Sequence, residues 1–161
     1  MPDPGAGPYV QYRTEVREEW IDYNGHLNDA GYAIVLSEAN ETLLADLGLS
    51  EAYRTATGRA MYTVESHIRY LSEARRDDVI EAESLLVSAD AKRLRVHTLL
   101  RRDDGIPVAT GEYLYLHVDQ AAGGVTAMPP DRWAAVGALL SAHAPLDRPG
   151  HLGQGVGGRQ P

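Results

Sequence analysis

The chain has 161 residues, of which 43% are apolar and 24% charged, the balance of one soluble domain with a core of its own. Its net charge of −8 and the lack of any basic run exclude nucleic acid as a partner, and no stretch approaches the roughly 20 apolar residues of a membrane span. Cysteine is absent, which removes disulfides, thiolate metal ligands and cysteine nucleophiles together.

Residues 1–8 hold three prolines and two glycines and no basic or apolar run. They are expected to form a flexible arm without a signal peptide, so a cytoplasmic protein is expected. A single domain should follow over residues 9–144. Residues 9–20 read as a strand. Asn28 is a plausible N-cap, after which Tyr32, Val35, Leu36, Ala39, Leu43 and Leu47 recur at spacings of three and four. Glu38, Asn40, Glu41 and Asp46 fall between them, and Gly48 ends the run as a C′ glycine would. The spacing predicts one amphipathic helix that needs a sheet to lie on.

Four strand-like segments supply it. Over residues 62–70, Tyr62, Val64, Ile68 and Tyr70 alternate with Thr63, Glu65, His67 and Arg69. Residues 79–89 follow a charged turn. Residues 93–101 set Leu94, Val96, Thr98 and Leu100 against Arg93, Arg95, His97 and Arg101. Asp103, Asp104 and Gly105 read as a hairpin turn, and residues 108–119 return. A second helix is predicted after Pro129 and Pro130, carrying Trp133, Val136, Leu140 and His143 at helical spacing. Glycine and proline dominate residues 145–161, which are expected to be a disordered tail. One long helix followed by antiparallel strands is an α+β order.

The chemistry is concentrated in W-I-D-Y-N-G-H-L-N, residues 20–28. On an extended backbone Asp22, Asn24, His26 and Asn28 would project from one side. A carboxylate can attack or activate water, and unpaired amides at a helix start can polarise a carbonyl oxygen. Asp22 also reads as an ordinary Asx-turn residue, Asn24 as a turn former, and Asn28 as no more than a cap. A lone histidine such as His26 is more often a structural hydrogen-bonder than a catalyst.

This motif resembles the hotdog-fold thioesterases. D-x-N-x-H-x-N opening a helix is similar to the acyl-carrier-protein thioesterases. The longer string, with Y-T-V-E-S-H-I-R-Y at residues 62–70, resembles thioesterases of carnitine breakdown that hydrolyse betainyl-CoA. The resemblance implies a hotdog fold, an antiparallel sheet wrapped around one long central helix. It implies that Asp22 acts as nucleophile or as general base, that Asn24 and His26 position groups or steady the oxyanion, and that Gly25 lets an amide approach the thioester oxygen. Alternatives are a thioesterase for other short or aryl acyl-CoAs and a non-catalytic acyl-CoA-binding protein. A dehydratase signature is not found.

A catalytic glutamate lies near the first long strand in the acyl-carrier-protein enzymes, so Glu65 and Glu73 are both candidates. Glu38 and Glu41 on the helix are rivals by a second branch of the family. Nine tyrosines and two tryptophans stand against no phenylalanine. Trp20, Tyr23, Tyr32, Tyr62 and Tyr70 therefore offer a cage for a trimethylammonium group, although interface packing would use the same residues. Arg59, Arg69, Arg75, Arg76 and Arg93 are candidates for the phosphates of an acyl-CoA substrate. No P-loop, G-x-G-x-x-G, G-x-S-x-G or paired helical histidine motif occurs, and no cofactor or metal is expected. A sheet wrapped round one helix leaves a face open, so a homodimer or homotetramer is expected. The carnitine connection adds a dehydrogenase of the same pathway as a possible partner.

Overall fold

One long helix decides where everything else lies. In this computed structural model, which describes residues 7–156, helix α1 spans Asp29–Asp46. The Asn28 side chain accepts the Gly31 N–H at 2.7 Å, satisfying a donor that the first turn leaves open. Gly48, at φ +74°, closes the other end, where a side chain would be strained. Tyr32, Val35, Leu36, Ala39, Leu43 and Leu47 are all buried, as the spacing predicts. Each such large apolar side chain contributes about 1.5–3 kcal/mol when withdrawn from water. Asn40 differs from expectation: it also faces inward, and its Oδ1 accepts the Thr98 hydroxyl at 2.8 Å. Thr98 in turn meets Ser84 at 2.7 Å, so a polar bridge ties the helix to the middle of the sheet.

The strands are β1 (Tyr9–Glu15), β2 (Arg59–Tyr70), β3 (Val79–Asp90), β4 (Arg93–Arg102), β5 (Pro107–Asp119) and β6 (Gly124–Val125). They form one antiparallel sheet in the order β1-β3-β4-β5-β2, with β6 on β5. The sheet curls round α1, which packs on β1, β3, β4 and β5. This is the α+β hotdog arrangement that the resemblance implied.

The first strand stops at Glu15 rather than Trp20. After Val16 exchanges main-chain bonds with residues 77 and 78, a 3-10 turn at Glu18–Trp20 drives Trp20 into the core. In β2 the expected alternation breaks at a bulge on Val64, where Thr63 pairs with Tyr115 and Glu65 with Leu114. One extra residue flips every later side chain. Thr63, Ser66, Ile68 and Tyr70 therefore share the helix-facing side, while Tyr62, Glu65, His67 and Arg69 point outward. In β4 the predicted alternation is observed: Leu94, Val96, Thr98 and Leu100 are buried against the helix.

Helix α2 (Glu51–Thr57) and strand β6 went unpredicted because seven and two residues are too short to display a period. Helix α3 (Pro130–His143) starts on the proline expected at N1. It packs on β3, where His143 Nδ1 accepts the Leu86 N–H at 2.9 Å beyond the reach of β1. The described part of the tail lies against the outer face of the sheet. The Arg148 guanidinium donates to the Val87 carbonyl. His151 Nε2 lies 3.2 Å from His97 Nε2, and the Gly153 N–H donates to Glu112 at 2.9 Å. One guanidinium, one imidazole and one main-chain amide of the tail make these contacts, each with a partner distant in sequence. Residues 1–6 of the expected arm and residues 157–161 lie outside the described residues. Among the described residues no helix is long and apolar enough to cross a membrane.

Burial, and then the facing His151, press the His97 pKa down to about 4; Glu112 opposes this too weakly. The unfolded chain therefore takes up the proton first on acidification, and stability is lost as pH falls from about 6.5 towards 4. In urea unfolding, His97→Gln should lose on the order of 1–3 kcal/mol less than the parent between pH 7 and pH 4.

Candidate active site

An antiparallel bridge between Ile21 and Leu27 pinches residues 22–26 into a closed turn. The Asp22 N–H donates to the His26 carbonyl at 2.8 Å, and the Gly25 N–H to the Asp22 carbonyl at 3.0 Å. Gly25 sits at φ +79°, a conformation that suits glycine and ends any alternation. The extended display of Asp22, Asn24, His26 and Asn28 is thus not what forms. Instead Asp22 Oδ1 accepts the N–H groups of Asn24 at 2.8 Å and His26 at 3.3 Å, while Asn24 Nδ2 lies 3.4 Å from Oδ2. Desolvation raises the Asp22 pKa, but those hydrogen bonds and the His26 imidazole outweigh it and hold the carboxyl below its ordinary range. The group is an ionised carboxylate with one oxygen committed to the turn.

Across from the turn runs segment 71–74, between β2 and β3. It is fastened by the Leu27 N–H donating to the Ala74 carbonyl at 2.8 Å. The Tyr32 hydroxyl adds two more bonds, donating to the Ser72 carbonyl at 3.0 Å and accepting the Ala74 N–H at 3.1 Å. So held, the segment presents Glu73, whose Oε2 lies 3.1 Å from His26 Nε2. The Tyr70 ring meets Tyr32 edge-on at 5.5 Å, and its hydroxyl reaches the Asp29 carbonyl at 3.4 Å.

Together these pieces wall a cleft of about 410 Å³. Asp22, Asn24 and His26 come from the turn, Asp29 and Tyr32 from the start of α1, and Tyr70 and Glu73 from the far side. Among the described residues three carboxylates line it, and no lysine or arginine does. Such a cleft offers a carboxylate for attack or water activation, an amide side chain, and an imidazole beside the positive end of an 18-residue helix.

Several expected participants are elsewhere. Glu65 faces outward and lines a different cleft of about 390 Å³ with His67, Glu112 and the tail. Glu73, its rival, is the glutamate brought to His26. The bulge likewise puts Arg69 on the outer face, where Tyr62, ahead of the bulge, accepts a hydrogen bond from Gln120 at 2.9 Å. Trp20 is buried in the core beneath the Arg17 guanidinium, and Tyr23 is 97% exposed at the tip of the turn. Of the five aromatic residues proposed as a cage, only Tyr32 and Tyr70 line the cleft. The amides expected to hold an oxyanion are already in use: those of Gly25, His26, Leu27 and Asn28 all donate within the chain. Asn28 serves as the cap. Glu38 accepts the Tyr12 hydroxyl and Glu41 is exposed, so neither reaches the cleft. Arg59, Arg76 and Arg93 are paired with Asp119, Glu18 and Asp90. Asp29 went unnoticed because an acid in the first turn reads simply as a complement to the helix dipole.

The sequence profile of the thioesterase-like superfamily matches residues 16–138. The L-carnitine dehydrogenase/betainyl-CoA thioesterase of Agrobacterium fabrum is 41% identical over 92% of this chain but only 30% of that protein. The chain thus spans under a third of that bifunctional relative. The betainyl-CoA thioesterase of Pseudomonas aeruginosa is 36% identical over 91% of this chain and 92% of its own length. A hypothetical protein from Staphylococcus aureus, solved in complex with CoA, superposes with a TM-score of 0.87 at 26% identity. That match covers 92% of this chain and 95% of the other.

Tyr32→Phe removes both bonds that its hydroxyl makes to segment 71–74. The expected cost is about 1–2 kcal/mol in urea unfolding, together with faster hydrogen exchange at the Ala74 amide.

Proposed function

The chain belongs to the thioesterase-like superfamily and is a thioester hydrolase, and we propose that betainyl-CoA is its substrate, released as glycine betaine and CoA. The ionised Asp22 carboxylate in the cleft beside the start of α1 carries this proposal. The end-to-end similarity to the Pseudomonas enzyme supports the choice of acyl group.

Asp22 Oδ1 is held by two amides, so Oδ2 is the oxygen that meets either the thioester carbon or the attacking water. As the carbonyl carbon becomes tetrahedral, negative charge gathers on its oxygen. The amides of the turn are spent, so the Asn24 side-chain amide and the positive end of α1 are the proposed donors. His26, held against Glu73, gives the departing sulfur a hydrogen-bonding partner as the C–S bond breaks. Arg75, two residues beyond Glu73, is the proposed contact for a CoA phosphate.

The protein acts as a homo-oligomer, at least a dimer, formed along β2. This strand ends the sheet, and Val64 and Leu71 on and just past it are about half exposed. Pairing with a second copy would satisfy the open peptide groups and cover the apolar side chains in one step. In the Agrobacterium relative the name joins the thioesterase to an L-carnitine dehydrogenase. The proposed setting is therefore the cytoplasm, beside such a dehydrogenase.

Asp22→Asn should lower kcat for betainyl-CoA by roughly 10³-fold or more, while the circular dichroism spectrum and melting temperature stay close to the parent. A variant that keeps near-parental turnover removes Asp22 from the chemistry. Sedimentation should show Val64→Lys shifted towards monomer at concentrations where the parent is a dimer.

A further inference from the structure

We propose that Asp29, Glu73 and the ring of Tyr70 hold the cationic end of the acyl group and so select a charged acyl chain over a neutral one of the same shape. The inference rests on the betainyl-CoA proposal and extends it to the residues that recognise the acyl group.

A quaternary ammonium has no N–H to donate, so it is recognised by diffuse negative potential, from aromatic faces and from carboxylates outside hydrogen-bonding range. Its nitrogen is two bonds from the reacting carbon, so whatever recognises it must share the cleft with Asp22. Asp29 and Glu73 do share it, and among the described residues no lysine or arginine lines this cleft. Among the described residues neither carboxylate is consumed by a strong ion pair. Asp29 accepts the Ala30 N–H beside it at 3.0 Å, and Glu73 meets the His26 imidazole. Glu73 keeps 68% of its side chain open to solvent.

Tyr70 supplies the aromatic part. Its ring is steadied by the edge contact with Tyr32 and by its hydroxyl at the Asp29 carbonyl, yet the residue is 52% exposed. The bulge at Val64 turns it to the helix-facing side of the sheet. Two acids and one fixed, half-open ring thus surround the place where the acyl group must extend from Asp22. A neutral acyl chain gains nothing from either carboxylate.

The test compares betainyl-CoA with 3,3-dimethylbutyryl-CoA, in which carbon replaces the nitrogen at nearly unchanged shape. The ratio of the two kcat/KM values cancels whatever the substitutions do to the shared chemistry. The parent should prefer the cationic ester. Asp29→Asn and Glu73→Gln should each reduce that preference roughly five-fold, the scale of a solvent-screened charge pair. Raising the salt concentration should compress the parent's preference and leave the double variant nearly unaffected. Where a variant turns over too slowly, the same ratio is read from the dissociation constants of the matching thioethers, S-(2-trimethylammonioethyl)-CoA and S-(3,3-dimethylbutyl)-CoA. A parent that prefers betainyl-CoA, with variants keeping that preference within two-fold, overturns this inference alone. A parent that hydrolyses the neutral ester equally well overturns the betainyl-CoA proposal itself.

Discussion

The arrangement of the cleft depends on how segment 71–74 is joined to the start of α1. One main-chain bond, from Leu27 to Ala74, and two bonds to the Tyr32 hydroxyl hold together stretches forty or more residues apart in sequence. Ala74 is fully buried at the joint, so these polar groups have no water to fall back on. Without that joint His26 and Glu73 would share no wall. The core residues of α1 fix the height of the helix over the sheet, and the joint converts that position into a cleft of defined shape.

A single carboxylate serves two purposes within this frame. Asp22 closes its own turn by taking the amides of Asn24 and His26, and the same bonds keep it charged. Folding the turn and preparing the group are therefore one event. The geometry also redistributes work among neighbours. Since the turn uses up its own amides, the proposed polarisation of a substrate oxygen falls to a side chain and to the axis of the helix.

The sequence makes the helix legible because its core stripe, its Asn28 cap and its Gly48 stop all report on the same element. Strand β4 is equally legible, with four buried residues facing the helix and charged ones behind. Legibility fails wherever one residue breaks a period. Gly25 turns an apparent extended run into a closed loop, so the four polar residues of the motif do not line up. Val64 reverses the faces of half a strand, which sends Glu65 and Arg69 away from the site and brings Tyr70 into it. Glu73 has no period to betray it, since it belongs to a loop whose place is set by contacts distant in sequence. The tail hides for a different reason: a guanidinium, an imidazole and a glycine amide set against partners far away in sequence leave no periodic trace.

The bulge on β2 gives a half-exposed valine an importance that its surroundings conceal. Val64 touches neither the core cluster nor the cleft, yet it is the residue left out of the ladder between Thr63 and Glu65. Were Val64 drawn into regular pairing instead of bulging, the strand would regain unbroken pleating and every side chain after it would change face. Ile68 would exchange the hydrophobic interior for water, and Tyr70 would leave the cleft for the far side of the sheet. Losing the bulge while keeping the residue would act as a frame error in three dimensions, silent in composition and ruinous in orientation.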